Sequence, residues 1–276
     1  VIAIFLNMIG VFDSGFGGLT ILRELRKVLP QYDFLYLGDN ARAPYGSRTF
    51  ETIYRYTLEA VTALFDKGCP LVILACNTAS ARALRTIQQQ DLPHIAPNNR
   101  VLGIIRPTAE EIGNISKTGH IGILGTTGTV ASGSYPLEIQ HFFPNLAVSQ
   151  QACPLWVPLV ENGELNSEGV RYFVHQDVSK LLAQDPQIDT VLLACTHYPL
   201  LEPLIRLELP SQIALVSQGE IVASKTVEYL KNHPEIDSKL KKDGKTHFFT
   251  TDTPEFFEMG ASLFGETQIF AESLTF

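Results

Sequence analysis

LVILACNTASA runs from Leu71 to Ala81, and TVLLACTHYPL runs from Thr190 to Leu200. Each is an apolar run that ends in Ala-Cys and then a small polar residue. Runs that are apolar at nearly every position are strands buried on both faces, the pattern of a parallel sheet covered by helices. Further runs of this kind lie at Ile9–Phe12, Phe34–Leu37, Val101–Ile105, Ile121–Leu124, Ala147–Gln151, Ala214–Ser217 and Thr246–Thr250. Helical patterns lie between them. In Phe50–Lys67, for example, Tyr54, Leu58, Val61 and Phe65 share one helical face, and Gly68 follows as a stop. Strands alternating with helices give an α/β fold, and in such folds ligands bind beyond the C-terminal ends of the strands.

The repeat extends beyond the opening pair. IGVFDSGFGG at Ile9 and IGILGTTGTV at Ile121 are alike at an offset of 112 residues (121 − 9), close to the cysteine offset of 119 (195 − 76). The chain therefore reads as two roughly equivalent halves, each with a Gly-rich first turn and a cysteine at a later strand end. If the halves face each other, each contributes one cysteine to a shared cleft.

Composition narrows the function. The chain has 276 residues, 45% hydrophobic and 18% charged, enough to bury a sizeable core in one large or two ordinary domains. A net charge of −8 and a pI near 5.4 weigh against a non-specific nucleic-acid binder. No apolar run reaches the roughly 20 residues of a membrane span. The first residues, VIAIFLNMIGVF, lack a signal peptide's basic flank and cleavage site and read as a buried first strand, with Met8 as an alternative start. The four cysteines (Cys69, Cys76, Cys153 and Cys195) form no CxxC pair or zinc ribbon, and reduced thiols are expected.

A thiol at a strand end sits near the amides of the following helix, which favour a thiolate. With one sulfur on each side of a small substrate, one thiolate can remove a proton from carbon while the opposite thiol returns one to the other face. Contacts of roughly 3–3.5 Å from each sulfur to that carbon imply a sulfur–sulfur gap of about 7 Å. A disulfide requires about 2 Å. Cys69 and Cys153 read as inert core residues. His197, two residues after Cys195, reads as an acid–base or orienting group rather than a metal ligand, because the other histidines form no ligand spacing with it. Asp13 reads either as a helix cap alone or as a contact to the ligand or to a catalytic base. The turn after Asp13 fits neither a dinucleotide fingerprint, which would need glycine at Thr20, nor a P-loop. The lysine-rich stretch Lys231–Lys245 reads as a solvated helix end and loop.

FDSGFGGLT, GDNARAPYG, ACNTASA, GILGTTGTV, CPLWVPLVENGE and ACTHYPL, in this order, closely resemble the glutamate racemases of the aspartate/glutamate racemase superfamily. The resemblance spans Ile9 to about Leu200, with weaker features to Asp252. It implies two α/β domains with the active site between them, residues 1–102 with 217–276 forming the first and 103–216 the second. It implies cofactor-independent racemisation of glutamate, no metal, a cytoplasmic homodimer, and supply of D-glutamate for peptidoglycan. Carried onto matching positions, it makes Cys76 the base for D-glutamate and Cys195 the base for L-glutamate. Asp13 assists the first, His197 the second, and Glu161 stands near the site. Ser14, Tyr45, Gly46, Asn77, Thr78, Thr196 and His197 fall at substrate-binding positions, as does Asp13, with Thr126 and Thr129 as further contacts. Phe16 and Arg106 depart from the family pattern. No lysine motif for a pyridoxal cofactor is evident, so positioning and hydrogen bonds must stabilise the charge on the substrate. Rival readings are a racemase for aspartate or another small acid, a non-catalytic amino-acid binder, and a thiol redox protein.

Overall fold

Every residue of the strand Ile9–Asp13 (β1) is buried, and its side chains alternate between two cores. Ile9 and Val11 face one core and Phe12 the other, the period-2 geometry of a strand covered on both sides. Each such side chain stabilises the fold by roughly 1.5–3 kcal/mol relative to exposure. The computed structural model describes residues 7–276. The remaining strands are β2 (Phe34–Gly38), β3 (Leu71–Leu74), β4 (Arg100–Gly103), β5 (His120–Gly125), β6 (Ala147–Ala152), β7 (Thr190–Ala194), β8 (Ala214–Val216), β9 (Thr246–Thr250) and β10 (Ala271–Ser273). They form a six-stranded sheet in the order β10-β9-β2-β1-β3-β4 and a four-stranded sheet in the order β6-β5-β7-β8. All pairings are parallel.

The two sheets are wound alike. The order β2-β1-β3-β4 is repeated as β6-β5-β7-β8, so β1 corresponds to β5 and β3 to β7. The repeated sequences therefore occupy equivalent strands, and the Ala-Cys ends of β3 and β7 are equivalent points. In each sheet the chain order reverses between the first and third strands, which opens a crevice at their C-terminal ends. Those ends carry Asp13, Cys76, Thr126 and Cys195. A continuous core runs from Ile9, Leu71 and Ile73 of the first sheet to Leu124, Val191 and Leu193 of the second. The helices Leu19–Val28 and Gly219–Asn232 pack against each other within it.

Helix Phe50–Asp66 ends one residue earlier than its periodicity predicts. Thr49 caps it by accepting from Thr52 N, and Gly68 leaves it with a φ of 86°, a conformation that favours glycine. The predicted strand Val101–Ile105 is shorter. It ends at Gly103, and Ile105 already opens the helix Ile105–Ile115. Ile104 and Ile105 are both buried, so one apolar run crosses from strand to helix without a break in hydrophobicity. The edge strand β10, three residues long, has no sequence signature. Of the apolar start, Met8 is buried and leads into β1, while residues 1–6 lie outside the described residues. Lys231–Lys245 ends one helix, adds the short helix Pro234–Asp237 and continues to β9, with Ile236 and Leu240 buried beneath its lysines. Among the described residues, no helix is long and apolar enough to cross a membrane.

Candidate active site

The Cys76 flank is built from the ends of β1 and β3. Cys76 caps the helix Asn77–Arg82, and its Sγ accepts from Ala79 N at 3.5 Å. Ser14 Oγ lies 3.4 Å from the same sulfur. Asp13 is fully buried; its Oδ2 accepts from Gly15 N at 2.9 Å, closing the turn after β1 rather than capping helix Leu19–Val28. Burial pushes the Asp13 carboxyl above its ordinary range, opposed by His197 and by the N–H groups of Gly15 and Gly18. Burial and then the nearby Asp13 push the Cys76 thiol up to about 12, against the opposing bonds from Ser14 and Ala79. Cys76 therefore keeps its proton at neutral pH.

The Cys195 flank is built differently. Cys195 and Thr196 follow β7, and His197 precedes the turn Tyr198–Leu201. His197 Nδ1 lies 3.8 Å from Cys195 Sγ, and its Nε2 lies 2.9 Å from Oε1 of Glu161, the last residue of helix Trp156–Glu161. Burial opposes a charge on this imidazole, yet the bonds to Cys195 and Glu161 outweigh it and hold His197 up to about 10. His197 is therefore a cation at neutral pH. Phe264 packs edge-on against it at 5.5 Å. Phe16, one of the departures from the family pattern, stacks on Phe264 and Phe257 and so supports this wall. Arg106 pairs with Glu110 at 3.3 Å on helix Ile105–Ile115 and does not line the cavity.

The flanks meet at Gly17. A β-carbon there would lie 2.3 Å from Thr196 Oγ1 and 2.4 Å from His197 Nδ1, so only glycine permits the approach. Thr20 Oγ1 donates to Thr196 O at 3.1 Å, and Thr196 Oγ1 donates to Asp13 Oδ1 at 3.5 Å. Opposite, Thr78, Thr126 and Thr129 bridge the halves through their hydroxyls, with Thr78 to Thr126 at 2.9 Å and Thr126 to Thr129 at 3.0 Å. Gly128 N donates to Gly46 O at 2.8 Å beside them.

Between the flanks lies a cavity of about 110 Å³. Ser14, Tyr45, Gly46, Cys76, Asn77 and Thr78 line it from the first half, and Thr126, Glu161, Cys195, Thr196 and His197 from the second. Tyr45 presents its ring there, because its hydroxyl donates to Asp39. Asp13 and Thr129 stand behind the wall, in contact with lining residues. All four cysteines are free and buried. Cys69 lies in the core beneath β3, away from the cavity, and burial pushes its thiol up to about 12. Cys153 is buried in the core, as expected, and burial pushes its thiol well above the ordinary range; it also borders the cavity with Pro154, Val157 and Pro158. The signal was present in CPLWVPLVENGE, where the same short segment carries Glu161. Among the described residues, no group of three His, Cys, Asp or Glu side chains is placed to hold a metal ion.

Like-wound α/β halves with acid–base groups on both sides of one small cavity define an acid–base enzyme that acts on a small ligand. The family model for Asp/Glu/Hydantoin racemase matches residues 19–226. A glutamate racemase of Geobacter metallireducens is 39% identical over 90% of this chain and 89% of its own length. One from Listeria monocytogenes is 38% identical over 91% of each chain. The crystal structure of a glutamate racemase isoform from Bacillus anthracis superposes with a TM-score of 0.88 at 34% identity, covering 98% of both chains. That of the Francisella tularensis glutamate racemase, in complex with D-glutamate, gives 0.86 at 29% identity over 99% of this chain and 98% of its own. The chain belongs to the Asp/Glu/hydantoin racemase family, among its glutamate racemases.

Proposed function

We propose that the protein interconverts L- and D-glutamate by two-base proton transfer at Cα, with Cys195 and Cys76 as the bases on opposite faces. From L-glutamate, the Cys195 thiolate takes the α-proton and becomes a thiol. The electron pair left on Cα then takes the proton of the Cys76 thiol from the other face, leaving a Cys76 thiolate. The C–H bond broken on one side is replaced on the other, and the configuration inverts. The reverse path starts from Cys76. Proton exchange with solvent returns the two sulfurs to their starting states.

The observation that carries this reading is that equivalent strand ends of two like-wound halves bring Cys76 and Cys195 to one cavity. Their surroundings suit the roles. Cys76 holds its proton, as an acid must at the start of the L-to-D direction. Cationic His197 beside Cys195 Sγ compensates negative charge on that sulfur, and Glu161 keeps the imidazole oriented and protonated. Asp13 acts from behind, shaping the Ser14 turn and adding negative charge near Cys76. Ser14, Asn77, Thr78 and Thr196 offer neutral donors to the substrate carboxylates, with Tyr45, Gly46 and Thr126 completing the walls and Thr129 holding Thr126 in place. Donors fixed in advance stabilise the charge that develops as the α-proton leaves.

Residues 1–102 with 217–276, and residues 103–216, form the two units in this reading, and their closure over the ligand excludes water. The D-glutamate formed supplies peptidoglycan synthesis in the cytoplasm, and the enzyme works as a homodimer. The test is loss of optical rotation from L-glutamate with enzyme and no added cofactor, run beside L-aspartate. Rapid loss with glutamate and little with aspartate is expected; the opposite preference, or no loss with either, overturns the assignment.

A further inference from the structure

Asn77 follows Cys76 directly, and the residue lines the cavity while almost wholly buried. Its carboxamide belongs to a closed ring of three hydrogen bonds. Asn77 Nδ2 donates to Gln218 Oε1 at 2.7 Å. Gln218 Nε2 donates to the Tyr135 hydroxyl at 2.6 Å. The Tyr135 hydroxyl donates to Asn77 Oδ1 at 2.5 Å. All three bonds run the same way round, so each group gives one proton and accepts one. Gln218 Nε2 also reaches Thr108 Oγ1 at 2.9 Å and Ile104 O at 3.3 Å. Tyr135 is fully buried, and Gln218 is 3% exposed.

The ring draws on three separate parts of the fold. Asn77 lies after β3 of the first sheet, and Tyr135 lies on the helix Ser134–Phe142 after β5 of the second. Gln218 lies just past β8, where the chain leaves the second sheet for helix Gly219–Asn232. Filling this space would need only apolar side chains. Unpaired amides and hydroxyls at such depth are costly, and here the polar groups are satisfied by one another. A carboxamide has nearly the same shape after a half-turn that exchanges its oxygen and nitrogen. Exchanging Asn77 alone would set its Oδ1 against Gln218 Oε1, acceptor facing acceptor, and exchanging both amides would set Gln218 Oε1 against the Ile104 carbonyl oxygen. One orientation is therefore fixed, and it leaves one Nδ2 hydrogen of Asn77 without a protein partner.

We propose that Gln218 is a positioning residue which, with Tyr135, fixes the Asn77 carboxamide so that its remaining N–H meets the substrate's carboxylate. The inference rests on the racemase reading, because it takes the ligand to be an amino acid. Gln218 and Tyr135 do not line the cavity, so they act through Asn77.

The test is steady-state kinetics on L-glutamate for Gln218→Met and Tyr135→Phe, each made in the native sequence and in an Asn77→Ala background. Each single substitution is expected to raise KM about tenfold, the size of one lost hydrogen bond to a charged group, with a smaller change in kcat. In the Asn77→Ala background neither should change KM by more than about twofold, because residues acting through one another do not add. A purely structural role predicts lower melting temperatures with KM unchanged. Unchanged KM in both single variants, or full multiplication of the effects with Asn77→Ala, overturns the proposal. Tyr135→Phe removes a single oxygen and decides the matter should Gln218→Met fold poorly. Absence of glutamate turnover in the native protein removes the racemase reading, and this inference with it.

Discussion

Cys76 and Cys195 occupy equivalent strand ends, yet they keep different company. The Cys76 sulfur meets a neutral hydroxyl and a backbone N–H, with the Asp13 carboxyl close behind. The Cys195 sulfur meets an imidazole that is itself paired with a carboxylate. Winding the two halves alike places the sulfurs, while the loops around them supply different polar neighbours. Two identical flanks would carry no built-in preference for which sulfur holds a shared proton. In the proposed two-base mechanism one sulfur accepts a proton while the other gives one, and the flanks differ in the groups they set beside each. Because L- and D-glutamate are mirror images, their equilibrium constant is unity, so kcat/KM must be equal in the two directions. The asymmetry of the flanks therefore cannot favour one enantiomer.

Removing either sulfur should break the site most severely. Cys76→Ala and Cys195→Ala are each expected to cost roughly a thousandfold or more in racemisation, read by polarimetry in both directions, with thermal melting little changed. Loss on one side only would leave a one-base enzyme. Gly17→Ala attacks the point where the flanks meet. Its added carbon has to displace Thr196 and His197, and a fall in kcat/KM of about a hundredfold is expected from the misplacement. Near-native activity in Gly17→Ala would show that the close approach is not required.

Smaller effects sharpen the contrast between the flanks. His197→Asn should slow turnover about a hundredfold by removing the charge beside Cys195. Ser14→Ala should slow it only about tenfold, since it removes one neutral hydrogen bond near Cys76. Equal effects would mean that the flanks work alike. The last contrast is read in stability rather than in rate. His197 is held at about 10 in the folded chain against an ordinary 6.5, so the folded state keeps a proton that the unfolded chain releases between those values. The stabilisation is complete below about 6.5 and is lost as pH rises through about 10. Urea midpoints for the native protein should fall across that window, and His197→Asn should flatten the fall.

Much of this was legible in the chain. Leu71–Leu74 and Thr190–Ala194 are apolar throughout because both faces of their sheets are covered, and the ACN and ACT strand ends marked the site from both halves. The turn after β1 and the Glu161 segment followed from their motifs. The boundary at Gly103 was not legible, because burial does not change where strand gives way to helix. The lining position of Cys153 was missed because its apolar neighbours are those of a core thiol, and only its place in one segment with Glu161 pointed to the cavity. The Gln218–Tyr135–Asn77 ring had no local signature at all. Gln218 and Asn77 are 141 residues apart, and polar pairing across that distance leaves no periodic trace in sequence.

The most direct measurement follows deuterium at Cα when L-glutamate is racemised in heavy water. With a separate sulfur on each face, the proton removed by Cys195 is not the one returned by Cys76. The first D-glutamate formed should therefore carry deuterium while the remaining L-glutamate stays protiated. Deuterium entering both enantiomers at the same early rate, or D-glutamate that retains the original hydrogen, would contradict a mechanism with one base on each side.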